Sequence, residues 1–100
     1  MQKIIILGSG NIGFTVALML NNYDDYDVTL VSRHKEDLKK TAKKLNINII
    51  VYDFEKNKNY SKLLKPFDTV ISALPFYLNI QVAQAALKAK VNYLDFTEDV

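Results

Sequence analysis

Two short stretches hold the residues best suited to chemistry. Gly8-Ser9-Gly10-Asn11-Ile12-Gly13 follows the strand-like run 3–7 (KIIIL), apolar from Ile4 to Leu7, and opens a segment with helical apolar spacing. Farther along, Val28-Thr29-Leu30-Val31 runs out into Ser32-Arg33-His34. A GxGxxG spacing alone arises by chance, but between a buried strand and a helix each glycine has a physical role. Gly8 permits a tight turn, and Gly10 lets the backbone approach a pyrophosphate with no Cβ in the way. Gly13 lets the helix lie close on the strand. The N–H groups around Asn11 and Ile12 then meet phosphate with the favourable end of the helix dipole. The chemistry indicated is dinucleotide binding. The loop is not GxxxxGK[ST], so ATP hydrolysis is not expected.

The second stretch selects the dinucleotide. An acidic residue at the end of such a strand would accept hydrogen bonds from the adenosine ribose and repel a 2′-phosphate. Ser32 removes that repulsion, and the Arg33 guanidinium offers a planar fork suited to a phosphate dianion. Lys35, Lys39 and Lys40 add a weaker, screened attraction; His34 either helps or, as is commoner for a lone exposed histidine at a turn, is a bystander. NADP is therefore expected in preference to NAD.

These stretches need a scaffold, and the chain supplies alternating elements. Strands are expected at 3–7, 27–32, 47–52, 69–74 and 92–96. Helices are expected from Asn11 to about Asn22, over 35–45, around 60–65 and from about Tyr77 to Lys90. The first helix carries Ile12, Val16, Met19 and Leu20 at helix spacing, and the second sets Leu38, Thr41, Ala42 and Leu45 on one face. The last sets Leu78, Val82, Ala85, Ala86 and Ala89 on one face, its alanines small enough to let it lie close against a sheet. Such alternation predicts a Rossmann-type, doubly wound parallel sheet in a three-layer α/β/α arrangement, with strand order 3-2-1-4-5. Ligands of such sheets bind outside the carboxyl ends of the strands. Asp53-Phe54 should then lie beside the adenine, and Ser72-Ala73-Leu74-Pro75 beside the nicotinamide-side ribose and phosphate.

Composition sets the remaining bounds. One hundred residues, 49% of them hydrophobic, suit one folded domain spanning 1–100. With 13 basic and 11 acidic residues the net charge is +2, too balanced to argue for nucleic acid or an anionic membrane. The lysines of 35–45 read as a solvated helix face, and Asp24, Asp25 and Asp27 as a solvated turn rather than metal ligands. The absence of cysteine excludes disulfides and fits a reducing compartment. The apolar run near the start is too short for a signal peptide or a membrane span, so a cytoplasmic location is expected. The final strand stands so close to Val100 that a longer protein is expected.

Asp68–Asp99 (DTVISALPFYLNIQVAQAALKAKVNYLDFTED), together with LGSGNIG and Ser32-Arg33, resembles the N-terminal NAD(P)-binding domain of the saccharopine dehydrogenase-like family. The Pro75 turn and the 93–99 strand end are the more specific parts of that resemblance. It implies a pyridine-nucleotide oxidoreductase acting on carbon–nitrogen bonds of amino acids, with an amino-acid-derived substrate held by a C-terminal domain beyond residue 100. The fragment alone would then be inactive, and its catalytic acid and base are not assigned. Phe76, Tyr77, Thr97 and Glu98 are expected at the substrate-side edge. Surface meant for the further domain could instead form a homodimer. The alternative is a regulatory dinucleotide-binding module of the kind that gates potassium transport, against which Ser32-Arg33 and the 96–99 segment count.

Overall fold

Each of the first four strands of the computed structural model, which describes residues 1–8 and 10–96, is followed by a helix that returns the chain to the same sheet end. The elements run β1 (Gln2–Leu7), α1 (Asn11–Asn21), β2 (Tyr26–Ser32), α2 (Lys35–Leu45), β3 (Asn48–Val51), α3 (Tyr60–Leu64), β4 (Thr69–Ser72), α4 (Phe76–Ala89) and β5 (Asn92–Asp95). The five strands are parallel in the order β3-β2-β1-β4-β5, as expected. β3, β4 and β5 are shorter than the apolar runs that announced them, although Tyr52 N–H still reaches Ser32 O at 2.9 Å beyond the end of β3.

The side-chain alternation of the strands divides the core into two layers. Ile4, Ile6, Val28, Leu30 and Ile71 face Ala17 of α1 and Leu38 and Leu45 of α2. Ile5, Leu7, Val31 and Val70 face Tyr60 and Leu64 of α3 and Leu78, Val82 and Ala86 of α4. β1 carries an almost unbroken apolar run because both its faces are covered. Each fully buried aliphatic side chain contributes about 1.5–3 kcal/mol, so this double burial anchors the sheet.

The contact face of α1 differs from the expected one. Met19 is 60% exposed, and Ala17 is fully buried in its place. The helix enters so close to β1, through Gly13, that only a small residue fits one turn later. Outward of that contact, Ile12, Val16 and Met19 line an apolar hollow with Ile71 and Phe96, and the exposed Leu94 of β5 is in register with Ile71. α2 and α4 end on left-handed residues, Asn46 (φ 54°) and Lys90 (φ 60°), where glycine would be the unstrained choice. Among the described residues no helix is long and apolar enough to cross a membrane.

Candidate dinucleotide site

The carboxyl ends of β1, β2, β3 and β4 surround a cleft of about 340 Å³, within the range of small-molecule sites. Its floor is the glycine loop. Gly8 leaves β1 at φ 103°, a left-handed conformation, and its N–H donates to Val31 O at 2.7 Å. A Cβ at Gly8 would stand 3.0 Å from Ala73 O, so β1, β2 and the turn after β4 converge here with no room to spare. Gly13 is more constrained still, because a Cβ there would lie 1.8 Å from Gly8 O.

Gly10 is different in kind. Its backbone is extended (φ −67°, ψ −173°), which any residue adopts, and a Cβ there would meet nothing within 4 Å. It is the N-cap of α1, and no side chain caps the helix. The first-turn N–H groups of a helix have no intrahelical partner, and here they open beside a glycine that lines the cleft. Such a helix start can cradle an anionic group that comes close to the backbone. The Ile12 side chain turns to the apolar hollow, so only its backbone belongs to the cradle. Asn11 begins the helix. Ser9 lies outside the described residues.

The wall at the end of β2 is basic. Ser32 is buried, and its Oγ accepts from His34 N–H at 3.1 Å, closing a small turn that leaves Arg33 exposed at the cleft. His34 lines the cleft as well, beside Asp37 from the first turn of α2. Lys35, Lys39 and Lys40 are exposed, with Lys39 and Lys40 on the outer surface of α2 beside Ile49.

The wall after β3 is aromatic and acidic. Asp53 Oδ1 accepts from the N–H groups of Glu55 (3.0 Å) and Lys56 (3.3 Å). The Glu55 N–H foremost holds its carboxyl below the usual value; desolvation, next in weight, opposes it, and the Lys56 N–H and the charges of Lys56 and Arg33 add to the lowering. The side chain is thus engaged in its own turn. Phe54 borders the cleft, but its ring is buried against Tyr52 (centroids 4.8 Å apart) and Tyr60 (5.6 Å). The Tyr60 hydroxyl fixes the strand exit by donating to Phe54 O.

The remaining wall is the turn Ala73-Leu74-Pro75, held to β1 by Ala73 N–H donating to Leu7 O at 2.8 Å. Ser72, expected in the same wall, is not in it. Strand alternation puts Ser72 on the face of Val70, under α4, where it is fully buried and donates to Asn79 Oδ1 at 2.5 Å. Tyr77 also departs from expectation. Its hydroxyl donates to Glu55 Oε1 at 2.8 Å across the cleft, so it shares the space of Arg33 and Asp53 rather than forming a separate edge. That hydrogen bond chiefly, with partial desolvation and the Glu55 charge, pushes its hydroxyl pKa up, while Arg33 acts in the opposite sense. Phe76 is 66% exposed and does not line the cleft. Thr97 and Glu98 lie outside the described residues.

Sequence reasoning missed Asp37, Tyr52, Glu55 and Leu78 as cleft residues. Asp37 and Leu78 follow cleft loops by one helical turn, a signal that helix geometry could have given. The Tyr77–Glu55 contact joins residues 22 apart and leaves no local trace.

Residues 4–99 match the family described as Saccharopine dehydrogenase NADP binding domain. The chain belongs to that family. It is 33% identical over 94 residues to the mitochondrial alpha-aminoadipic semialdehyde synthase of Bos taurus, covering 93% of this chain and 10% of that protein. It is 31% identical over 115 residues to the carboxynorspermidine synthase of Vibrio cholerae, covering 99% of this chain and 28% of the relative. Among solved structures, the apo saccharopine dehydrogenase (L-Glu forming) of Saccharomyces cerevisiae superposes with a TM-score of 0.86 at 25% identity, over 99% of this chain and 23% of that one. The chain therefore spans about a quarter or less of the length of these relatives. The expected cofactor, NADP, is the one in the family's description, and the potassium-transport alternative gains no support.

Proposed function

We propose that this chain is the cofactor-binding domain of an NADP-dependent oxidoreductase acting on carbon–nitrogen bonds of amino-acid-derived substrates. The observation that carries the cofactor reading is the pairing of an open, uncapped glycine cradle at Gly10 with Arg33 at the end of β2, on one cleft. The residues fit a dinucleotide: Gly8, Gly10 and the backbone at Asn11 and Ile12, with Ser9 in the same loop, would hold the pyrophosphate. Ser32 would shape the turn from which Arg33 reaches the 2′-phosphate. Asp53, Phe54 and Tyr77 would border the adenine side, and Ala73, Leu74 and Pro75 the opposite wall.

Asp37, Asp53 and Glu55 share this cleft, and each would repel a phosphate dianion. That opposition makes Arg33 the group on which preference for the 2′-phosphate turns. The cofactor supplies hydride transfer when bound, while the chain orients it and shields it from water. Catalysis on a substrate belongs to a longer protein, in which Thr97 and Glu98 are proposed to approach the substrate side and a further domain to hold it. Names among the relatives, a saccharopine dehydrogenase and a carboxynorspermidine synthase, support the substrate class. We place the protein in the cytoplasm, which its lack of cysteine fits. The apolar hollow beside α1 and Phe96 supports association of the isolated domain into a homodimer, which sedimentation over a concentration series would detect.

Titration of the purified chain with NADPH, read by nicotinamide fluorescence, tests the cofactor reading. Saturable one-to-one binding is expected. A chain that is folded by circular dichroism yet binds neither NADPH nor NADH would refute it.

A further inference from the structure

The inner face of α4 is apolar at Leu78, Val82 and Ala86, but Asn79 lies among them and is only 3% exposed. A buried amide opposes folding unless it is hydrogen-bonded at both ends. Asn79 meets that requirement entirely within one short stretch of chain. Its Oδ1 accepts from Ser72 Oγ at 2.5 Å, and its Nδ2 donates to Leu74 O at 3.4 Å. Its backbone N–H donates to Pro75 O at 3.3 Å. Ser72 Oγ in turn accepts from Leu74 N–H at 3.4 Å. A leucine or alanine, like its neighbours on α4, would bring no polar group of its own, but it would leave the buried Ser72 hydroxyl without this acceptor. The amide instead ties down residues 72–75, the turn that walls the dinucleotide cleft.

The tolerance of that turn is narrow. Ala73 O stands 3.0 Å from where a Gly8 Cβ would be, so the turn packs on the glycine loop in space that only a glycine leaves free, and a displacement toward β1 would intrude on that space. A displacement away opens the cleft wall. The other side of the amide is braced by β5: register pairs Val70 with Tyr93 and Ser72 with Asp95, which sets all four on the α4 face. The Tyr93 hydroxyl donates to Asn79 O at 3.3 Å, beside the Asp95 carboxylate and the Ser72 hydroxyl.

We propose that Asn79 is a positioning residue for the dinucleotide, its amide fixing the Ala73-Leu74-Pro75 turn in the shape that admits the cofactor. The inference rests on the reading of the cleft as an NADP site. Asn79 does not line the cleft and acts only through the turn.

The test is calorimetric titration of the folded chain with NADP⁺ and NAD⁺, comparing wild type with Asn79→Asp, Asn79→Leu and Ser72→Ala. Asn79→Asp keeps the size and the acceptor for Ser72 but loses the donor to Leu74 O. It is expected to weaken both dinucleotides at least tenfold at pH 8 while leaving their ratio unchanged, since Arg33 is untouched. Lowering the pH protonates the introduced carboxyl and restores a donor, so affinity relative to wild type at the same pH should recover. A side chain that only stabilises the fold would show neither the loss nor the recovery. Dissociation constants within threefold of wild type at both pH values would overturn the proposal. Ser72→Ala should act in the same direction, and it carries the test with Asn79→Asp if Asn79→Leu does not fold. Failure of wild type to bind would instead strike the cleft reading itself.

Discussion

Gly10→Ala separates binding from folding in a single methyl group. At most glycine-loop positions the two are entangled, but an alanine Cβ at Gly10 meets no atom within 4 Å, and the backbone there is extended. Two small effects on stability then oppose each other. Restricting the unfolded chain contributes about 0.4–1 kcal/mol to stability. Alanine is a poorer N-cap than glycine, at a cost of up to about 1 kcal/mol. The net change should stay within about 1 kcal/mol, or about 8 °C in Tm for a domain of this size. Binding should respond far more. On this account the methyl group would occupy the open space beside Gly10 and hold a pyrophosphate away from the N–H groups at the start of α1. Loss of one hydrogen bond to a charged group is worth about 1.5–3 kcal/mol. That corresponds to a dissociation constant for NADPH raised by roughly 10- to 150-fold. Thermal melting and calorimetric titration on the same preparation read both quantities. A variant with unchanged Tm that binds NADPH as tightly as wild type would refute the assignment of this space to phosphate. A variant that unfolds would refute the geometry of the loop.

Gly13→Ala should show the reverse pattern. Its Cβ would sit 1.8 Å from the Gly8 carbonyl oxygen, a rigid backbone atom, so α1 must move bodily. With a rigid backbone atom in the way, such overpacking should cost about 3 kcal/mol, the upper end of the usual range, lowering Tm by about 12 °C or more; a shift below about 4 °C would show that α1 is free to ride outward. Tyr93 gives a pH dependence. Burial first, then the hydrogen bond and charge of Asp95, push its hydroxyl up to about 12, with Ser72 acting the other way. A pKa raised on folding gives stability that is complete below the unfolded value near 10 and is lost as pH rises through about 12. Urea melts between pH 8 and 11 should therefore show stability falling at the alkaline end. The fall should be shallower in Tyr93→Phe, with Tyr52 and Tyr77, also raised, leaving a residual slope. An unchanged slope in Tyr93→Phe would contradict the buried network around Asn79.

The strand order was legible because β1 and β2 are covered on both faces and so read as unbroken apolar runs between helical segments. The roles of Gly8 and Gly13 were legible for a related reason: close approach of backbones admits one residue type. Apolar periodicity failed at α1, where it favoured Met19 over Ala17, because a helix held tightly by Gly13 selects for smallness rather than hydrophobicity. Ser72 was misread as a cleft residue although its parity with the buried Val70 already set it under α4. Asn79 and the Tyr77–Glu55 pair became visible only in three dimensions, since their partners are fixed by tertiary contact rather than by spacing.

The central claim is that Ser32-Arg33 makes this cleft an NADP site, and calorimetric titration of wild type and Arg33→Ala with NADPH and NADH tests it most directly. The account predicts that wild type prefers NADPH at least tenfold, about 1.4 kcal/mol, and that Arg33→Ala abolishes the preference while leaving NADH affinity nearly unchanged. Equal affinities of wild type for the two cofactors, or a preference that survives in Arg33→Ala, would contradict it.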